Sequence, residues 1–69
     1  MNIDIAKGIK NKREEYQLEQ QELAQRAGVS KSLLCAIEKG QRLPSLLATV
    51  AIADVLHCTV DELLGRKIS

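Results

Sequence analysis

The 69 residues predict an all-α domain of five helices, and three observations carry that prediction. Phe and Trp are absent and Tyr occurs once, so the core must be built from Leu, Ile, Val and Ala, which suit close helix packing. The single Pro, with abundant Glu, Lys, Gln, Leu and Ala, favours helix throughout. Helix-starting residues (Asn2 or Asp4, Glu19, Ser30, Ser45, Thr59) and helix-ending glycines (Gly28, Gly40, Gly65) recur at intervals of one short helix, with apolar residues at helical spacing between them. No repeat, linker or low-complexity tract interrupts residues 1–69, so they read as one domain. A chain this short buries only about 60% of the surface that its unfolded form exposes, so its core must be efficient.

The first helix is expected from Asn2 or Asp4, either of which can cap it, to about Tyr16, with Ile5, Ile9 and Arg13 on one stripe. Gln17 and Leu18 form the first connection. The second helix starts near Gln20 and ends at Gly28, and Leu23, Ala24 and Ala27 share one of its faces. Glu19 stands at its cap, a weaker cap than Ser or Thr, although a carboxylate there faces the positive end of the helix dipole. The third helix, capped by Ser30 and ended by Gly40, runs from Lys31 to about Lys39 with Leu34 and Ile37 inward. Only Gly28, Val29 and Ser30 separate these two helices, so they must cross steeply, which is the layout of a helix-turn-helix over about 20–39.

After the loop Gln41, Arg42, Leu43, Pro44, Ser45 can cap a fourth helix from Leu46 to about His57. Leu46, Thr49, Val50, Ala53 and Leu56 read as its inward stripe, while Leu47, Ala48, Ala51 and Val55 form a second apolar stripe on roughly the opposite side. A helix apolar all round is buried all round, and a domain of this size has nothing of its own to cover the second stripe. A homodimer is therefore expected, with Leu47, Ala51 and Val55 on its face. Thr59 and Glu62 have capping-box spacing and open a short fifth helix through Leu63 and Leu64, closed by Gly65 and followed by a tail.

Ten Lys and Arg against nine Asp and Glu leave a net charge of +1, short of the strongly basic balance of many nucleic-acid proteins. The charge is nevertheless unevenly placed. Lys7, Lys10, Lys12 and Arg13 lie on the first helix and Lys31, Lys39 and Arg42 follow the turn, with Glu14, Glu15, Glu19 and Glu22 between. Cys35 and Cys58 match no metal or redox spacing, so a reduced cytoplasm and small-residue packing roles are expected. His57 has no ligand-spaced companion and is expected to close the fourth helix. No metal, cofactor or small-molecule ligand is expected. The sequence offers no nucleophile with a base, no paired carboxylates and no Gly-rich phosphate loop, so an enzyme is not expected. Neither a signal peptide nor a stretch of about 18 apolar residues is found, so no membrane association is expected.

From about Ile9 to Leu64 the sequence resembles the lambdoid phage repressor and Cro family of helix-turn-helix proteins, the Cro/C1 or XRE type. The matching residues are Ile9, Lys10, Lys12 and Arg13; Gln20, Glu22, Leu23, Ala24 and Gly28; and Ser30, Ile37, Glu38, Lys39 and Gly40. Pro44, Ser45, Ile52, Ala53, Leu56, Val60 and Leu63 continue the match. The resemblance implies a lambda-repressor-like fold, a buried ion pair between Arg13 and Glu38, and double-stranded DNA as the partner of a transcriptional regulator. Gln17 stands where the family often has Gly, so either a residue at positive φ or a turn of another shape is expected there.

With Leu34 and Ile37 inward, Lys31, Ser32, Leu33 and Ala36 fall on or near the face left for the major groove. Lys31 can donate to guanine, Ser32 to several base edges, and Leu33 or Ala36 can touch a thymine methyl. Gln20 resembles the family residue that bridges to the phosphate backbone, and Ser30, Lys10, Lys12, Lys39 and Arg42 complete the expected phosphate contacts. A two-fold pair would set two such helices about 34 to 36 Å apart on a palindromic site. The competing expectation is a protein-interaction module of antitoxin or anti-repressor type that binds DNA weakly or not at all.

Overall fold

The computed structural model describes residues 5–64, which form five helices: α1 (Ile5–Glu15), α2 (Gln20–Ala27), α3 (Lys31–Glu38), α4 (Leu46–Val55) and α5 (Val60–Leu63). No strand occurs among the described residues. The caps expected at Asn2 or Asp4, the closure at Gly65 and the tail lie outside them. Helix α2 packs on α3 and α4, α1 on α3 and α5, and α4 on α5. One core results, built from Ile5, Ile9, Leu23, Ala24, Leu34, Ile37, Ile52, Ala53, Leu56 and Leu63.

Side-chain caps start three of the helices. Ser30 Oγ accepts the Leu33 N–H at 3.0 Å, Ser45 Oγ accepts that of Ala48 at 3.1 Å, and Thr59 and Glu62 form the reciprocal capping box. Glu19 has cap-like backbone angles but its carboxylate makes no cap bond.

Helix ends are more uniform than their starts. In α1 to α4 the chain leaves through one residue in the left-handed region: Gln17 (φ 56°), Gly28 (φ 75°), Gly40 (φ 76°) and His57 (φ 51°). In each case the next N–H folds back onto a carbonyl five residues earlier: Leu18 to Arg13, Val29 to Ala24, Gln41 to Ala36, and Cys58 to Ala53, at 2.9 to 3.0 Å. These are Schellman closures, which satisfy carbonyls that the helix leaves unpaired. Helix α4 therefore ends at Val55, short of the expected His57, because His57 is the reversing residue.

The stripes expected on α4 need correction. Thr49, Ile52, Ala53 and Leu56 are buried, whereas Leu46 and Val50, read as inward, are 75% and 40% exposed. Of the second stripe, Leu47 is 81% exposed, but Ala51 is half-buried and Val55 packs against the core. A helix apolar on nearly every side gives no polar contrast to fix its phase. The open apolar face is instead Leu43, Leu46, Leu47 and Val50.

Gly8 marks a very close approach between two helices. A Cβ there would collide with the backbone carbonyl oxygen of Leu63 and lie 2.8 Å from its carbon, so α1 and α5 meet backbone to backbone. Lys12 braces the same junction, its ammonium 3.6 Å from both Glu15 and Glu62.

Candidate nucleic-acid interface

Helix α3 buries Leu34 and Ile37, and the helical repeat then turns Lys31, Ser32, Cys35, Ala36 and Lys39 to the opposite side. With Gln41 these residues line an open trough of about 370 Å³. Its floor is made of short side chains and its ends carry two ammonium groups. Leu33, expected among the outward residues, is half-buried and packs against the core, so only part of it remains available. Cys35, read in the sequence as a small residue at the edge of the recognition helix, was not named as a base contact there, and Gln41 was read only as part of the loop. Cys35 is visible there in retrospect, because it lies four residues after Lys31, but Gln41 joins the trough only through the reversal at Gly40.

The carboxyl end of α3 is fixed by Arg13. Its Nε donates to Glu38 Oε2 at 2.9 Å and its Nη2 to Oε1 at 3.1 Å, a bidentate pair with side chains 13% and 3% exposed. The remaining terminal nitrogen, Nη1, donates to the Leu18 carbonyl at 2.7 Å, so one guanidinium ties the α1–α2 turn to α3. The bond to Glu38 raises the Arg13 pKa above its already high ordinary value, keeping the guanidinium charged. Ala24 is buried in the core that holds α2 and α3 together.

Gln20 belongs to the same network, its Nε2 donating to Glu38 Oε1 at 3.1 Å. Its amide carbonyl stays available. Gln20, Gln21, Glu19, Arg13 and Lys31 line a polar cleft of about 340 Å³, so the heads of α2 and α3 open onto one space. Glu19 places a carboxylate in it. Ser30 uses a lone pair for its cap and retains its hydroxyl proton.

Among the described residues, Lys10, Lys31, Lys39 and Arg42 form no ion pair. Arg26 pairs with Glu22 at 2.9 Å, and Lys12 is shared by Glu15 and Glu62. Lys12 is thus a brace between α1 and α5, with its pKa raised first of all by Glu15. No group of three or more His, Cys, Asp or Glu among the described residues is placed to hold a metal ion. Cys35 and Cys58 are free thiols, and burial pushes the Cys58 thiol up. No helix among these residues is long and apolar enough to cross a membrane.

The model of the helix-turn-helix family HTH_3 matches residues 9–63, the span holding α2, α3 and their brace. The chain belongs to this helix-turn-helix family. The family consists of DNA-binding domains of transcription regulators and is not an enzyme class. This helix-turn-helix chain is 39% identical over 67 residues to the HTH-type transcriptional regulator AnsR of Bacillus subtilis, matching 97% of the chain and 55% of AnsR. It is 34% identical over 64 residues to the cryptic phage CTXphi transcriptional repressor RstR of Vibrio cholerae, matching 93% of the chain and 57% of RstR. The chain spans little more than half the length of these two relatives. Among solved structures it is similar to SinR of Bacillus subtilis, the master regulator for biofilm formation, in complex with DNA. That match has 38% identity and a TM-score of 0.83 and covers 87% of this chain and 97% of SinR's.

Proposed function

We propose that this chain is the DNA-reading part of a transcription regulator, a repressor or operon controller that acts in the cytoplasm, without a catalytic step, as a homodimer on a palindromic operator. The observation that carries the reading is the trough on α3, which has unpaired ammonium groups at both ends and is held from behind by Arg13 and Glu38. Such a face suits the major groove, where the amino end of the recognition helix goes deepest. There Lys31 donates to guanine O6 and N7, Ser32 bonds a base edge, and the methyl of Ala36 and the exposed part of Leu33 meet thymine methyls. Gln20, Ser30, Lys10, Lys39 and Arg42 are the phosphate contacts of this reading. Lys12 drops out because its charge is spent on Glu15 and Glu62.

Dimerisation is supported by the open face of Leu43, Leu46, Leu47 and Val50. A single copy carries one α3 and measures 33 Å along its longest axis. Reading two half-sites about 34 to 36 Å apart therefore needs a second copy.

Selection of bound sequences from a random duplex library at two salt concentrations tests the proposal. A palindromic consensus is expected. With Lys10, Lys39 and Arg42 each neutralising one phosphate, affinity per protomer falls on the order of 40-fold between 50 and 200 mM salt. The same apolar face also favours the second reading, a module that binds a protein. No enrichment at low salt would overturn the regulator and leave that module.

A further inference from the structure

The four left-handed closures allow an internal comparison. In this motif the residue after the reversal ordinarily makes an apolar contact back onto the helix that it ends. Leu18, Val29 and Cys58 follow that rule, each half-buried against the core. Gln41 is the fourth, and it departs: it is polar, exposed, and lies on the trough beside Lys39 and Ala36. Its backbone is fixed as firmly as the others, with the N–H on the Ala36 carbonyl at 2.9 Å and the Gly40 N–H on that of Ile37 at 3.0 Å. Its carboxamide has no hydrogen-bond partner among the described residues. A position normally given to packing thus holds an unengaged donor and acceptor on a rigid mount, at the edge of the proposed DNA-reading face.

We propose that Gln41, although outside α3, is a specificity-determining residue that selects adenine in the major groove; this rests on the regulator reading above. A carboxamide presents one acceptor beside one donor. Adenine alone offers the complement on its major-groove edge, the N6 amino group beside N7, whereas guanine shows two acceptors there. Gln41 Oε1 accepts from N6 and Nε2 donates to N7. The short side chains of Ser32, Cys35 and Ala36 leave room for the base edges to come close enough for this contact. The ammonium groups of Lys31 and Lys39, which have no acceptor, cannot supply that pattern.

The test compares the full chain with Gln41→Ala and Gln41→Glu in selection from a random duplex library, with thermal melting to confirm that each variant folds. The parent is expected to show an adenine toward one edge of each half-site. Replacing that adenine by 7-deazaadenine should weaken the parent roughly tenfold, in line with one bidentate base contact. The same replacement should leave Gln41→Ala within about twofold, because its partner is already gone. Gln41→Glu, which can only accept, should shift the preference at that position toward cytosine, whose N4 donates. A loss by Gln41→Ala that is uniform across sequences makes Gln41 a phosphate contact and overturns the proposal. An unchanged base profile overturns it as well. In both cases the regulator reading survives, whereas a parent that enriches nothing overturns the two together.

Discussion

At the scale of single residues, Arg13 is the most heavily committed side chain. It bonds Glu38 twice and the Leu18 carbonyl once, and Glu38 accepts from Gln20 as well. Desolvating two charges offsets most of what their attraction returns, but removing one partner strands the other in a poorly solvated place. Arg13→Leu and Glu38→Leu are each expected to destabilise by about 3 to 5 kcal/mol in urea unfolding, and the double variant by less than either. Similar losses from all three would mean that packing of the stems, not charge, is what the pair contributes. The residue types of this pair were legible in the sequence through the family pattern. Neither Gln20's bond to Glu38 nor Lys12's attachment to Glu62 was, because both depend on how separate helices dock.

At the scale of elements, the helix starts were legible because Ser30, Ser45 and Thr59 declare themselves by side-chain chemistry. Two of the ends were legible through glycine, and Gln17 through comparison with the family. His57 was placed at a helix end, but its left-handed backbone was not foreseen, since nothing in a histidine announces positive φ. The phase of α4 was misread for a related reason: ten residues with only two polar side chains, Thr49 buried and Asp54 exposed, carry little directional signal.

A residue with a Cβ held in the left-handed region costs about 1 to 2 kcal/mol, against roughly 0.5 to 1 for the extra freedom of an unfolded glycine. Gln17→Gly is therefore expected to stabilise by about 0.5 to 1 kcal/mol, raising the melting temperature by a few degrees. His57→Gly should be nearly neutral, because it also removes the edge contact of the imidazole with Tyr16, at 6.0 Å between ring centroids. Equal gains at both positions would show that the ring contact contributes nothing.

The capping box of α5 adds a pH dependence. The Thr59 backbone N–H, before any other cause, lowers the pKa of Glu62 below its ordinary 4.5. A carboxylate whose pKa is lower folded than unfolded contributes stability above the unfolded value and loses it as pH falls through the folded one. Urea melts at pH 7 and pH 3 should therefore show a smaller acid loss for Glu62→Gln than for the parent. Gln can still accept the Thr59 N–H, so the variant keeps its helix. An identical acid loss in both would remove Glu62 from the account.

At the scale of the whole molecule, the open face of Leu43, Leu46, Leu47 and Val50 is the surface on which the proposed homodimer would pair. Burying a leucine is worth about 1.5 to 3 kcal/mol, and association costs roughly 4 to 15. Three exposed leucines from each of two copies leave a modest surplus, so the pair should form and separate with concentration. Sedimentation is expected to show a mass that rises toward twice 7.6 kDa as concentration increases. Leu47→Glu should hold it at the single-chain value, and an unchanged profile would clear this face of the role. That such a face exists was legible in the excess of apolar residues on the fourth helix. Its composition was not, because Leu43 lies in the preceding loop and Val55 packs against the core.

The junction of α1 with α5 bears on how the protein should be handled. Ile5, at the head of α1, and Leu64, just past α5, line one apolar cleft together with Leu43, Pro44 and Leu46. Both ends of the described chain thus open beside the exposed apolar face, and none of the residues that line the α3 trough borders that cleft. On the proposed homodimer, a bulky label attached at Leu43 or Leu64 would crowd pairing before it disturbed DNA reading. A preparation labelled there that binds half-sites well and full palindromes poorly would then be reporting on its own label.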